Sequence, residues 1–187
     1  IYVVSNVDDY AVFSSDESWY SKFQARYTAT GTELVDEGPL SRWCGQDIKI
    51  NTDGSVTLSQ EFDVMTAVAE FPGIADMRPV DTPMESNFQS LAAEELEKVK
   101  SNPDLIDYTF DYKSAIGSLS WFGQRTWPMI LCATTLLASF AAKPTQLHVK
   151  AVKRVMRYML GNLDSGIFLK KDPNYNRSRI TIFGFTD

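Results

Sequence analysis

The chain opens with two short β-prone runs on either side of a polar turn. Val, Ile and aromatic residues fill most of positions 1–4 and 10–13, and Asn6, Asp8 and Asp9 lie between the two runs. β-Branched and aromatic residues favour strands, whereas Asn and Asp favour turns. The pattern therefore predicts a β-hairpin with two adjacent carboxylates at or beside its tip.

The rest of the chain is predicted to be mostly helical, with a second hairpin and two late strands. The second hairpin joins strands at 40–50 and 55–60 through the turn sequence Asn51-Thr52-Asp53-Gly54. Boundary residues and the spacing of apolar positions predict six helices and two further strands. The helices are expected at 16–27, 60–71, 90–100, 112–124, 127–142 and 145–160, and the strands at 167–169 and 180–186.

Several distinctive residues are predicted to have structural roles. His148 is the single histidine, and no acid or nucleophile lies near it in sequence, so we expect it to be packed and hydrogen-bonded. Cys44 and Cys132 are expected to be buried free thiols, because they have no metal-ligand spacing. Thr126 is placed to cap the helix that follows it, and Trp121 is expected in the core.

The helix predicted at 145–160 carries four cations on one face. Lys150, Lys153, Arg154 and Arg157 follow an i, i+3, i+4, i+7 spacing, and no acid lies between residues 145 and 163. A solvated basic face is one interpretation. The other is a surface for nucleic-acid phosphates, because the cations lack the usual i, i+4 acidic partners.

Composition and charge leave the function class open. The 187 residues, 44% of them hydrophobic, suffice for one large domain or two small ones. The net charge of −6 argues against a nucleic-acid-binding protein. However, residues 110–187 carry 11 Lys and Arg against 4 acids, whereas residues 1–109 carry 7 against 20. No secretory signal is present, and the apolar stretch at 128–142 is too short to span a bilayer, so no membrane partner is expected.

The adjacent carboxylates Asp8 and Asp9 have two interpretations. A solvated turn accounts for them without any function. Alternatively, a polyvalent cation such as Mg²⁺ removes the repulsion between two neighbouring carboxylates. Such a site would suit nucleotidyl transfer, in which two metal ions stabilise the attacking and leaving oxygens.

Four sequence blocks together resemble the reverse transcriptase of copia-type LTR retrotransposon Pol polyproteins, running into RNase H. The first block resembles the Tyr-Val-Asp-Asp box of that family, the second its primer-grip region with a Leu-Ser-Gln sequence, and the last strand resembles the start of RNase H. The blocks are Asn6-Val7-Asp8-Asp9, residues 38–48 with 57–60, residues 79–84, and residues 112–119 continuing to 151–161, followed by Gly184-Phe185-Thr186-Asp187.

The resemblance implies three regions. Residues 1–84 would be the C-terminal palm and primer-grip region, residues 85–165 a mostly helical thumb and connection region, and residues 166–187 the start of an RNase H-like domain. The fold class would be α+β, beginning with a partial palm hairpin and a primer-grip-like hairpin. The opening hairpin is expected either to pack poorly, since its sheet is incomplete, or to pair with the second hairpin.

The resemblance also implies site residues and partners. Asp8 and Asp9 would be catalytic palm carboxylates that bind Mg²⁺ or Mn²⁺, with Asp8 the stronger candidate, and Asp187 would be a catalytic metal ligand of RNase H. The primer-grip-like residues would be Trp43, Gly45 and Gln46, and the phosphate contacts would come from Lys150, Lys153, Arg154 and Arg157. An RNA template, a DNA primer, a dNTP and the rest of the Pol polyprotein would be the partners, in a cytoplasmic virus-like particle or the nucleus.

Departures from the family pattern keep other functions open. Asn6 replaces an aromatic residue, Cys44 a leucine, and Trp127 and Met129 an Arg and an Asp, which predicts a divergent or decaying copy. Both ends fall within apparent strands, so the chain is expected to be a segment that lacks a complete active site and is inactive alone. The alternatives are a truncated or host-adopted remnant that binds nucleic acid or protein through its basic helix, and a plain structural domain.

Overall fold

Two antiparallel sheets and six α-helices form the part of the chain that the structure describes. The structure is a computed structural model, and it describes residues 2–170 apart from 32, 33 and 75. The elements are β1 (Tyr2–Asn6), β2 (Asp9–Phe13), α1 (Glu17–Thr28), β3 (Arg42–Trp43), β4 (Gln46–Ile50), β5 (Val56–Ser59), α2 (Glu61–Ala69), α3 (Phe88–Ser101), α4 (Tyr112–Gly123), α5 (Leu131–Ala138), α6 (Gln146–Leu160) and β6 (Ile167–Leu169). This mixed composition is compatible with the predicted α+β class. The strand predicted at 180–186 lies outside the described residues.

The predicted opening hairpin is present, and it forms a sheet of its own. Strands β1 and β2 pair around a two-residue turn at Val7 and Asp8. The hairpin packs on α1 through Tyr10, whose hydroxyl accepts a hydrogen bond from the Tyr27 hydroxyl at 2.8 Å and whose ring meets the ring of Phe23 edge-on. The opening hairpin does not pair with the second hairpin within the described residues, so that one of the two expectations is wrong. The five residues of β1 are exposed, so the hairpin is only partly covered.

The second sheet has four strands in the order β3-β4-β5-β6. The prediction of one strand at 40–50 is wrong, because the chain reverses at Cys44 and Gly45 between β3 and β4. Both turn residues have positive φ, 51° and 73° respectively, which is the pattern of a type I′ hairpin turn. The strand predicted at 167–169 is confirmed as β6. It pairs with β5, and so joins the segment predicted to open an RNase H-like domain to the sheet that contains the predicted primer-grip-like residues.

The predicted helices are present, but the one at 127–142 is divided. A short 3₁₀ turn at Pro128–Ile130 precedes α5, so the helix begins too late for Thr126 to cap it. Thr126 is instead buried, and its hydroxyl donates to Gln60 Oε1 at 2.9 Å. The core prediction for Trp121 is also wrong, because its ring faces the β3–β4 turn and remains 45% exposed.

Both cysteines are free, as predicted, but neither is buried. Cys44 is half-buried because it lies in the β3–β4 turn at the sheet edge. Cys132 is exposed because α5 turns other residues, among them Ala133 and Leu137, toward the core.

Helix α6 packs into the core through its apolar face, and its predicted boundaries are confirmed. It begins after Thr145, whose side chain forms a reciprocal capping box with His148, and it ends at Gly161. Its apolar face packs against buried side chains of α2, α3, α4 and α5. The largest fully buried residues of this core include Trp127, Ile74, Leu119, Ile130, Leu137, Met156 and Met159.

His148 is packed and hydrogen-bonded, as predicted. It is 2% exposed, its Nδ1 accepts the backbone N–H of Thr145 at 3.0 Å, and its ring stacks on Phe140 at 4.2 Å between centroids. Burial lowers the pKa of His148, and the nearby charge of Glu95 opposes that shift. The neutral imidazole is therefore the form that the fold favours.

We expect acidification to destabilise the protein through this histidine. The unfolded chain, with a histidine pKa of about 6.5, binds the proton more readily than the folded chain. Stability therefore falls as the pH drops below about 6.5 and on toward the depressed folded-state pKa. Urea unfolding between pH 7.5 and 5.5 measures this slope. In His148→Gln, which keeps a capping-box side chain without titrating, the slope should be flatter. If the free energy of unfolding fell equally with pH in both proteins, His148 would not be the cause of the acid destabilisation.

Candidate functional site

Asp8 and Asp9 lie at the tip of the first hairpin, as predicted. Asp8 is the second residue of the turn, and Asp9 begins β2 opposite Asn6. Both are exposed, and neither side chain forms a hydrogen bond or ion pair with the described residues. Val7, directly before them, has φ 54°, a rare and strained conformation for a β-branched residue. Such strain is typical of sites where the backbone is held for a purpose.

The hairpin tip borders a cleft of about 890 Å³. Its walls are β2, α1, the loop at 34–41 and the β3–β4 turn. Asp8 and Asp9 line this cleft together with Trp43 and Gly45, whereas Gln46 is not among the lining residues. The structure thus places the predicted carboxylate pair and two of the three predicted primer-grip-like residues in the lining of one cleft, although they lie more than thirty positions apart in sequence.

The cleft is acidic. Asp36 and Glu37 line it in addition to the hairpin carboxylates, and Arg42 is the single cation among the described lining residues. The Gly38 amide, which donates to Asp36 at 2.8 Å, and the Tyr20 hydroxyl lower the pKa of Asp36. Asp36 is therefore charged at neutral pH, and a polyanion in this cleft would need cations to offset the repulsion.

Arg42 does little to neutralise that charge. Its guanidinium binds both carboxylate oxygens of Asp63 at 2.7 and 2.8 Å and Asp47 at 3.0 Å. These contacts join β3 to β4 and to α2. Arg42 is thus already paired with two acids on the side of the sheet that meets the helices.

The β3–β4 turn is held by side chains that sequence reasoning did not identify. The carbonyl of Cys44 accepts from Arg125 Nη1 at 3.0 Å, and the carbonyl of Gly45 accepts from Gln60 Nε2 at 2.9 Å. The only sequence feature that marked Gln60 was its place in the Leu-Ser-Gln sequence shared with the copia-type family. No local pattern marks Arg125, because its partner lies 81 residues away.

Two of the four cations of α6 that were predicted to be free for phosphates form hydrogen bonds within the fold. Arg154 binds Glu85 at 3.1 Å and the hydroxyl of Thr82 at 3.0 Å. Arg157 donates from Nε to the backbone carbonyl of Arg78 at 2.8 Å. The helix itself carries no acid, as its sequence shows. The partners of Arg154 and Arg157 come instead from the segment before α3, which packs against this face.

The other two cations differ in exposure. Lys150 is exposed, whereas Lys153 is half-buried and its ammonium lies 5.3 Å from the centre of the Phe110 ring. None of the four cations is among the residues that line the cleft. Their role in nucleic-acid binding stays a prediction, and the structure does not bring them to the carboxylate pair.

The two hairpin carboxylates fit part of a divalent-cation site. Their oxygens are the hard ligands that Mg²⁺ prefers, and they are exposed to incoming ligands. Within the described residues, however, no group of three or more Asp, Glu, His or Cys side chains is placed to hold a metal ion. Asp187 lies outside those residues. The described helices also include none long and apolar enough to cross a membrane.

The sequence is similar to those of retrotransposon polyproteins. It is 29% identical over 175 residues to the retrovirus-related Pol polyprotein from transposon RE1 of Arabidopsis thaliana, covering 91% of this chain and 11% of that protein. It is 27% identical over 172 residues to the Pol polyprotein from transposon TNT 1-94 of Nicotiana tabacum, covering 89% and 12%. The chain is a homologue of copia-type retrotransposon Pol polyproteins.

A third relative supports the same homology. The putative transposon Ty5-1 protein of Saccharomyces cerevisiae is 26% identical over 159 residues, which cover 85% of this chain and 48% of that protein. The chain thus spans less than half the length of each of these three relatives. No protein-family model matches it, and neither does any solved structure. The predicted resemblance to Pol polyproteins is confirmed, and the similarity covers only a segment of each relative.

Proposed function

We propose that the chain is part of the reverse transcriptase of a copia-type Pol polyprotein. In this proposal Asp8 and Asp9 supply carboxylates for RNA-directed DNA synthesis by two-metal nucleotidyl transfer. The observation that carries the proposal is the cleft, because the carboxylate pair and the Trp43–Gly45 turn line it together. A primer end held at the turn would occupy the same cleft as the carboxylates.

The chain's own contribution is to present two oxygen-rich side chains at a fixed hairpin tip. Asp9 is held by its pairing with Asn6 across the ladder, and Asp8 follows the strained Val7. Bound Mg²⁺ would activate the attacking hydroxyl and stabilise the leaving oxygen. Two carboxylates are fewer than a two-metal site needs, so the remaining ligands would come from other parts of the polyprotein.

The acidity of the cleft predicts how nucleic acid would bind there. A primer–template duplex carries dense negative charge, and the cleft presents Asp8, Asp9, Asp36 and Glu37 to it. Divalent cations would therefore be required for the duplex to enter. The RNA template, DNA primer and dNTP are the partners in this proposal, and an intracellular location follows from it.

Fluorescence anisotropy with a labelled RNA–DNA primer–template tests this proposal. We expect the chain to bind the duplex more tightly as Mg²⁺ is added at constant ionic strength. Replacing both hairpin carboxylates, Asp8→Asn with Asp9→Asn, should weaken the Mg²⁺-dependent binding by about tenfold, or about 1.4 kcal/mol. The matched control is Glu94→Gln with Asp164→Asn, which removes the same charge from exposed residues outside the cleft.

Three results would count against the proposal. They are binding that is independent of Mg²⁺, an equal effect in the control, and no binding at low salt. Salt-sensitive binding that needs no Mg²⁺, and that is lost when the four cations of α6 are changed to alanine, would instead favour a non-catalytic remnant. The engagement of Arg154 and Arg157 within the fold argues against that outcome.

A further inference from the structure

We infer that Gln60 and Arg125 are positioning residues for the candidate site, because they hold the β3–β4 turn at the edge of the cleft. Neither residue is among those lining the cleft, whereas Trp43, Cys44 and Gly45 are. They would therefore act on a bound duplex only through the turn. The expected effect on duplex binding rests on the proposed function, whereas the contacts of Gln60 and Arg125 with the turn do not depend on it.

The side chain of Gln60 is fixed at both ends. It is fully buried, its Nε2 donates to the Gly45 carbonyl at 2.9 Å, and its Oε1 accepts from the Thr126 hydroxyl at 2.9 Å. The Gly45 carbonyl can only accept, so the amide nitrogen must face it. The orientation of the amide is thus set by the turn, and the turn is linked through Gln60 to the segment after α4.

Arg125 binds the neighbouring carbonyl of the same turn. Its Nη1 donates to Cys44 at 3.0 Å, while its guanidinium lies 3.7 Å from the centre of the Trp121 ring. A Cβ at Gly45 would lie 3.2 Å from a carbon of that ring, so the glycine permits a close approach of turn and helix. Both central residues of the turn are therefore anchored by side chains from outside the β3–β4 hairpin, Gln60 after β5 and Arg125 after α4.

Such anchoring exceeds what the turn itself requires. A two-residue hairpin turn is closed by its own strand pairing, and the carbonyls of surface turns are ordinarily satisfied by water. Here two long side chains reach the turn from other elements, and one of them is fully buried. The arrangement restricts the motion of a turn that faces the cleft, which is what a binding surface for a primer end needs.

Hydrogen exchange and duplex affinity, measured on the same variants of the whole chain, test this inference. Gln60→Met keeps the side-chain length but removes both hydrogen bonds, and Arg125→Gln removes the stacked cation. Thr126→Val is the comparison variant, because it leaves both turn carbonyls with their donors and removes only the second contact of Gln60. Arg125→Lys is the conservative variant, which retains a cationic donor near the Cys44 carbonyl. Circular dichroism selects conditions in which every variant is folded.

We expect Gln60→Met and Arg125→Gln to raise amide exchange in residues 42–47 without raising it in α6. Each should also weaken Mg²⁺-dependent duplex binding by about tenfold, since a half-buried carbonyl that loses its side-chain donor no longer ties the turn to the rest of the fold. Arg125→Lys should recover part of both effects, and Thr126→Val should change them least.

Two results would overturn the inference. One is unchanged exchange at 42–47 in both variants, which would mean that these side chains do not hold the turn. The other is raised exchange with duplex affinity within twofold of the parent, which would mean that an ordered turn is not needed for binding. If the parent chain binds no duplex, the proposed function fails. The exchange at 42–47 then decides alone whether Gln60 and Arg125 fix the turn.

Discussion

Replacing Trp127 with alanine should lower the free energy of unfolding by about 3–5 kcal/mol, the usual range for truncating a buried aromatic residue. Trp127 is 0% exposed and belongs to the core cluster that surrounds α6. The loss combines the transfer free energy of the indole with the cavity that remains, because a close-packed core relaxes only in part. Urea unfolding followed by circular dichroism at pH 7.5 measures the change.

Trp127→Phe is the matched variant for this prediction. The indole Nε1 is buried and has no hydrogen-bond partner among the described residues. Phenylalanine removes that unpaired donor while retaining much of the aromatic volume, so its cost should be clearly smaller than that of alanine. Equal destabilisation by both substitutions would show that the N–H group, or the full indole shape, contributes more than the packing indicates.

Trp127 also changes how the departures from the family pattern are interpreted. The family has Arg at this position and Asp at the position of Met129, and the loss of that charged pair predicted a decaying copy. In the structure Trp127 is fully buried in a well-connected core, whereas Met129 is 41% exposed. Burial of a large apolar side chain such as that of Trp127 stabilises a fold. The altered segment is therefore consistent with an intact fold.

Local sequence signals were sufficient to predict the hairpin that carries Asp8 and Asp9, and both ends of α6. The two β-prone runs on either side of Asn6, Asp8 and Asp9 predicted the hairpin and its acidic tip. Thr145 and Gly161 predicted both ends of α6, because a capping residue and a terminal glycine act within one turn of the helix. Each of these features depends on neighbours in the sequence, so the sequence alone could reveal it.

The features that sequence reasoning missed depend on distant partners. Arg154 binds Glu85 across 69 residues, and Gln60 binds Thr126 across 66. Helical periodicity indicates which face a side chain occupies, but it contains no information on what packs against that face. The turn at Cys44 was missed for a different reason, since the sequence lacks the Asn-Gly or Asp-Gly signal typical of type I′ turns.

The second large effect should come from Gly166→Ala, which tests the attachment of β6. A Cβ at Gly166 would collide with the backbone carbonyl oxygen of Leu58 and lie 3.2 Å from its carbon. Backbone atoms of a central strand cannot move aside as a flexible side chain can. We expect the substitution to push β6 away from β5 and to cost about 1–3 kcal/mol, the range for overpacking. Urea unfolding, with amide exchange in 56–59, would measure both effects.

Gly117→Ala is the control, because it makes the same chemical change in α4 with no heavy atom within 4 Å of the added carbon. It should stabilise the protein by about 0.5–1 kcal/mol, since alanine is the better helix former. Changes of opposite sign in the free energy of unfolding for the two substitutions would show that β6 packs tightly on β5. The segment after residue 165, predicted to open an RNase H-like domain, would then begin as the edge strand of the sheet that contains the predicted primer-grip-like residues. If Gly166→Ala were neutral, β6 would be loosely attached, and a domain boundary near residue 166 would remain the better description.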